Sequence, residues 1–99
     1  YDQAISDYDK AIELNPKHSD AYNNRGIAYY SKGLYDNAIS NYNMAIVIDP
    51  EDADAYDNRG ITYLTKLGNK VKGCADCKRA CELGNCRNHN LAKENGDCR

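Results

Sequence analysis

Small and apolar residues recur along this chain at steps of three and four. Ala21, Tyr22, Gly26 and Tyr29 form one such run, with Arg25 at the same helical spacing, and Ala38, Ile39, Tyr42, Ala45 and Ile46 form the next. That spacing is the period of an amphipathic helix. Breaks between the runs are chemically marked. Lys32-Gly33 separates the two, with Gly33 suited to ending a helix. Asn15-Pro16 and Asp49-Pro50 end two others, because proline disfavours helix in the residue before it. The pattern predicts six helices, near 1–14, 19–32, 35–48, 53–66, 70–83 and 86–95.

These helices are copies of one unit. Shifted by 34 residues, the sequence falls on itself: of the 32 pairs between 1–32 and 35–66, 18 are identical. Tyr1 meets Tyr35, Tyr8 meets Tyr42, Pro16 meets Pro50, Asn24 meets Asn58 and Gly26 meets Gly60. Self-similarity at this period belongs to a helix-turn-helix repeat whose pairs build a core by stacking. Gly26 and Ala38 are small where paired helices approach closely. Later the period drifts: aligning Ala80 with Ala45 needs a shift of 35, which places an inserted residue near Leu67-Gly68. Gly73 then replaces Ala38, Cys77 replaces Tyr42 and Cys81 replaces Ile46.

The strings Ala21-Tyr22-Asn23-Asn24-Arg25-Gly26 and Tyr35-Asp36-Asn37-Ala38-Ile39, followed by Tyr42, Ala45 and Pro50, resemble the tetratricopeptide repeat (TPR) family over about residues 1–85. The resemblance implies an all-α fold, a right-handed superhelical solenoid of antiparallel helix pairs. It divides the chain into the second helix of a broken repeat (1–16), a full repeat (19–50), a divergent repeat (53–85) and a capping helix with tail (86–99). Since Tyr1 falls inside a repeat, more sequence is expected before it. Eight of the nine tyrosines occupy slots the family uses for packing and are expected in the core.

The resemblance also implies function: a protein-interaction scaffold, not an enzyme, holding an extended peptide or partner protein in a concave groove. Asp20, Asn23, Asn24, Ile27, Tyr30 and Ser31 are the expected surface positions on one first helix. Asp54, Asp57, Asn58, Ile61, Leu64 and Thr65 are their counterparts on the next. Asn24 and Asn58 are similar to an asparagine ladder that grips a peptide backbone in some repeats of this family, a task that needs both donor and acceptor. A bond to a neighbouring helix is the competing use of the same amides. Asp20, Asp54 and Asp57 favour a basic partner. A chaperone-type carboxylate clamp is not matched, because Asn23 and Asp57 fill its lysine slots and Ile27 an asparagine slot. Arg25 and Arg59 are expected to lie over neighbouring side chains or to pair with acids.

Composition narrows the alternatives. The 99 residues carry a net charge of -2, with 28% charged and 41% hydrophobic residues, as in an ordinary globular chain. Residues 1–66 hold 11 acids and 6 bases, which argues against a nucleic-acid surface. Residues 67–99 hold 4 acids and 7 bases, a solvated helix face by the usual behaviour of scattered charge. No apolar run approaches the roughly 18 residues of a membrane span. No cofactor is expected. The alternative to peptide binding is a structural or self-associating segment, pairing through Ile5, Tyr8 and Ile12 on the first helix. His18 and His89 have no acid or nucleophile at a motif spacing.

Five cysteines, Cys74, Cys77, Cys81, Cys86 and Cys98, lie in the last quarter of the chain. Three uses compete. A reduced cysteine packs as a small hydrophobe, the account preferred for Cys77. Disulfides are the second. If helices 70–83 and 86–95 run antiparallel about Gly84, Cys81 and Cys86 flank the turn, and Cys98 returns near Cys74. Cys86 and Cys98, held roughly 13–15 Å apart by the intervening helix, lie beyond disulfide reach. Pairs Cys81–Cys86 and Cys74–Cys98 with Cys77 free are therefore expected. They imply an oxidising compartment, periplasmic or secreted. The third use is thiol redox chemistry at Cys74-x-x-Cys77 or zinc held by Cys74, Cys77, Cys81 and His89. Neither has the expected fold context or spacing.

Overall fold

The computed structural model describes residues 1–98; Arg99, the end of the expected tail, lies outside the described residues. Six α-helices and no strand occur among them: α1 (Asp2–Leu14), α2 (Ser19–Ser31), α3 (Tyr35–Ile48), α4 (Ala53–Thr65), α5 (Lys70–Glu82) and α6 (Arg87–Glu94). Every boundary lies within one residue of the helical pattern in the sequence. Among the described residues, no helix is long and apolar enough to cross a membrane.

The chain forms two compact units, Tyr1–Pro50 and a second beginning at Glu51. In the first, α2 and α3 form a hairpin and α1 packs on α2. Its core is Ala21, Ala28, Ala38, Ile39, Tyr42 and Ala45. In the second, α4 and α5 form the equivalent hairpin, and α6 packs on both. Its core includes Ala55, Thr62, Cys77, Ala80 and Ala92.

Local chemistry explains the helix ends. Asp52 Oδ1 accepts from the Ala55 amide and Asn69 Oδ1 from the Lys72 amide, satisfying otherwise orphaned donors at the starts of α4 and α5. His18 caps α2 through Nδ1, accepting from the Ala21 amide. Asn15 and Asp49, each before proline, take extended backbone and stop α1 and α3. Gly84, at φ +114, ends α5. Around it the Asn85 amide donates to the Ala80 carbonyl and the Gly84 amide to the Cys81 carbonyl, a left-handed cap that turns the chain back into α6.

Two expectations need correction. Of the tyrosines assigned to packing, only Tyr42 is fully buried; Tyr8, Tyr22, Tyr29, Tyr35, Tyr56 and Tyr63 are half-buried and Tyr1 is 71% exposed. An amphipathic ring can pack one face and leave the hydroxyl edge in water. The Arg25 and Arg59 guanidinium groups cover the Tyr22 and Tyr56 rings at 5.2 and 5.4 Å from their centroids. Nor are Ile5, Tyr8 and Ile12 an uncovered stripe: all three are half-buried on the helix that packs against α2.

Candidate functional site

On α2, Asp20, Asn24 and Ile27 are exposed, with Ile27 at 41%. They stand at i, i+4 and i+7 and so share one helix face. Tyr30 is half-buried, its ring edge-to-face with Tyr35 at 5.4 Å between centroids. Asn23, expected at the surface, is instead buried, because α2 is packed by both α1 and α3.

On α4, Asp54 is exposed and accepts from Asn85 Nδ2 at 3.0 Å. Asp57 departs furthest from expectation: it is completely buried. Its Oδ2 accepts from the Arg87 guanidinium at 3.1 Å and from Asn88 Nδ2 at 2.8 Å. A carboxylate in this position requires such donors, since an unpaired buried charge is strongly unfavourable. Its Oδ1 has no partner among the described residues, and neither does the buried Nδ1 of His89. Asn58, Ile61 and Leu64 are half-buried. Ile61, Leu64 and Thr65 line an open cleft whose other wall is Asn88, Leu91, Ala92, Asn95 and Asp97. The α4 face expected to meet a ligand is therefore partly covered by the chain's own α6.

Arg25 and Arg59 hold equivalent places in the two units. Arg25 Nε donates to Asn41 Oδ1 at 2.6 Å, and its Nη1 to Asp9 at 2.9 Å. Arg59 forms a bidentate pair with Asp76, at 2.8 and 2.7 Å. This hydrogen bonding raises the Arg59 pKa above its ordinary value, against the opposing effect of burial. Asp76 is buried, contrary to the expectation that the acids lie on solvated faces. Nothing in the sequence marks Asp76 as buried, or Arg87 and Asn88 of the basic, polar last helix as the partners of a buried acid. The one available signal was a basic α6 following an acidic α4, and spacing alone does not pair residues 30 apart.

The cysteines fall into two pairs and one free thiol. Cys74 and Cys98 have their sulfurs at bonding distance and Cα atoms 5.6 Å apart; Cys81 and Cys86 do likewise, with Cα atoms 3.9 Å apart. Cys77 is free and buried. Its pKa is pushed up to about 11, first by burial and then by the charges of Asp57 and Asp76. A thiol so placed is protonated at neutral pH and is a poor nucleophile. The four side chains considered for zinc do not gather: among the described residues no cluster of three or more His, Cys, Asp or Glu has the geometry to hold a metal ion.

The repeat profile of the TPR family matches residues 1–33 and again 28–66. No curated protein matches the chain. Among solved structures, the first TPR domain of Spaghetti (RPAP3), bound to the HSP90 peptide SRMEEVD, superposes with a TM-score of 0.82 at 26% identity, over 95% of this chain and 80% of its own. MamA superposes with a TM-score of 0.75 at 35% identity, over 80% of this chain, which spans 46% of MamA. The duplicated helix hairpins, the glycine that lets the paired helices of each approach closely and a profile match running through residue 66 lead to one assignment: the chain belongs to the tetratricopeptide repeat family.

Proposed function

We propose that this protein-interaction scaffold binds an extended, basic segment of a partner on its first helices, the exposed face of α2 and the partly covered face of α4 each offering a site within its own unit. The observation that carries the proposal is the α2 face, where Asp20, Asn24 and Ile27 stand exposed in line. Asn24 offers a donor and an acceptor to a peptide backbone, Ile27 an apolar contact, and Asp20 a negative charge. The first TPR of RPAP3 holds an HSP90 peptide, which supports an extended ligand on this fold. That peptide carries three acids, whereas Asp20 and Asp54 here favour the opposite charge. The family's role is binding and not catalysis. In keeping with it, the buried Cys77 thiol is unsuited to nucleophilic work and His18 Nδ1 is occupied as a helix cap.

Labelled extended peptides graded from arginine-rich to glutamate-rich test this by fluorescence anisotropy. Saturable binding that strengthens with positive charge is expected, weakening as salt rises. Saturable binding by no peptide of the series, or preference for the acidic ones, contradicts it.

Self-association is a second reading, favoured by Met44 and Val47, 41% and 73% exposed at i and i+3 on α3. Sedimentation across concentration decides it, a monomer throughout counting against it. We also read Cys74–Cys98 and Cys81–Cys86 as disulfides. Thiol counting by mass spectrometry should then find one free thiol without reductant and five with it.

A further inference from the structure

We infer that α6 is a redox-released cover of the α4 face. This rests on the binding role proposed for α4 and on the disulfide reading of the two cysteine pairs.

α6 has eight residues, of which only Ala92 is buried. A helix this short does not persist alone in water. Leu91 remains 49% exposed, so its apolar anchorage is slight. The Lys70–Asp97 pair, at 3.6 Å and largely exposed, adds little. Yet this helix brings Arg87 and Asn88 to the completely buried Asp57 as donors.

Covalent closure accounts for the difference. Cys86 caps the start of α6 and meets Cys81 near the end of α5; Cys98 follows α6 and meets Cys74 near the start of α5. Both ends of α6 are thereby fastened along the length of α5. Loop closure of this kind typically contributes more than a single buried alanine. Arg87 and Asn88 offer Asp57 the same donors that a basic partner segment would bring.

A dithiol reductant reverses the closure. Its thiolate attacks one sulfur, the protein S–S bond breaks, and a mixed disulfide forms and resolves. Each protein pair gains two electrons and two protons to become two thiols, while the dithiol becomes its own disulfide. With α6 released, Asp57 loses its internal cation and Ile61 and Leu64 open to solvent. The oxidised chain keeps the α4 face closed and the reduced chain presents it.

Amide hydrogen exchange of the full chain, oxidised and after dithiothreitol, tests this. Exchange in α6 is expected to quicken by about tenfold or more on reduction, with α1–α3 unchanged. The variant Cys74→Ser/Cys98→Ser should show the same at the C-terminal end of α6 without reductant. Cys77, then the only free thiol, should stay unreactive towards a thiol reagent, which shows that α4 and α5 remain packed. Equal α6 protection in both redox states overturns the inference. So does Cys77 becoming reactive as fast as α6 opens, since the whole unit would then be unfolding. An oligo-arginine peptide should bind more tightly to the reduced chain. If it binds neither form while exchange still follows redox state, the binding role fails and the cover stands.

Discussion

Gly26 and Gly60 set how closely the helices of each hairpin approach. A Cβ at Gly26 would lie 2.5 and 2.8 Å from ring carbons of Tyr42 and 3.2 Å from the Ala38 carbonyl oxygen. Tyr42, 2% exposed, has nowhere to move. Gly26→Ala is therefore expected to destabilise the first unit by about 1–3 kcal/mol, the usual cost of overpacking, measured by chemical denaturation. At Gly60 the corresponding neighbour is Cys77, whose Sγ would lie 2.7 Å from a Cβ. The sulfur fills the slot that a tyrosine fills in the first unit. Its titration gives a signed prediction. Unfolded, the thiol ionises near its ordinary value of 9.0; folded, near 11. The folded chain holds the proton longer, so this group favours folding below pH 9 and the contribution is lost between pH 9 and 11. The stability difference between wild type and Cys77→Ala should shrink across that range. A difference independent of pH contradicts the buried, neutral thiol.

Between helices, one arginine per hairpin does the same task with different partners. Asp76 occupies in the second unit the place that Asn41 holds in the first. Arg59 has its charge met there by Asp76, while Arg25 rests on a neutral amide and meets its charge in Asp9 of α1. Asp76→Ala strands a guanidinium only 21% exposed and should cost the second unit about 2–4 kcal/mol. Asp76→Asn should recover much of that, because Asn41 already serves Arg25 in the first unit. Thermal or chemical unfolding checks both, and equal losses in the two variants would show that packing, not the hydrogen bond, is at stake. The hairpins themselves were legible in the sequence, because helix period, proline stops and the 34-residue duplication are all local or repeated signals. The buried acids were not. Asp57 and Asp76 look like any charged residue on a helix face until their partners are known. Arg87 lies in a segment without a counterpart in the duplicated part. The tyrosines failed for a different reason: a family slot says which way a ring points, not how much of it a neighbour covers.

At the scale of the whole chain, charge is distributed so that acids dominate residues 1–66 and bases the remainder. Within the second unit this asymmetry is already used, with Arg87 of α6 set against Asp57 of α4. The α2 face has no such internal cation at Asp20 among the ion pairs of the described residues. Binding by a basic segment is accordingly expected to depend first on α2 and, in the oxidised chain, less on α4. The most direct measurement is a titration of an arginine-rich extended peptide into the reduced wild type and into the reduced Asn24→Ala/Asn58→Ala variant, with circular dichroism confirming equal helix content. The account predicts saturable binding to wild type and an affinity about tenfold lower in the double variant, as expected for losing two modest hydrogen bonds. Equal affinities, or no saturable binding by wild type, would contradict it.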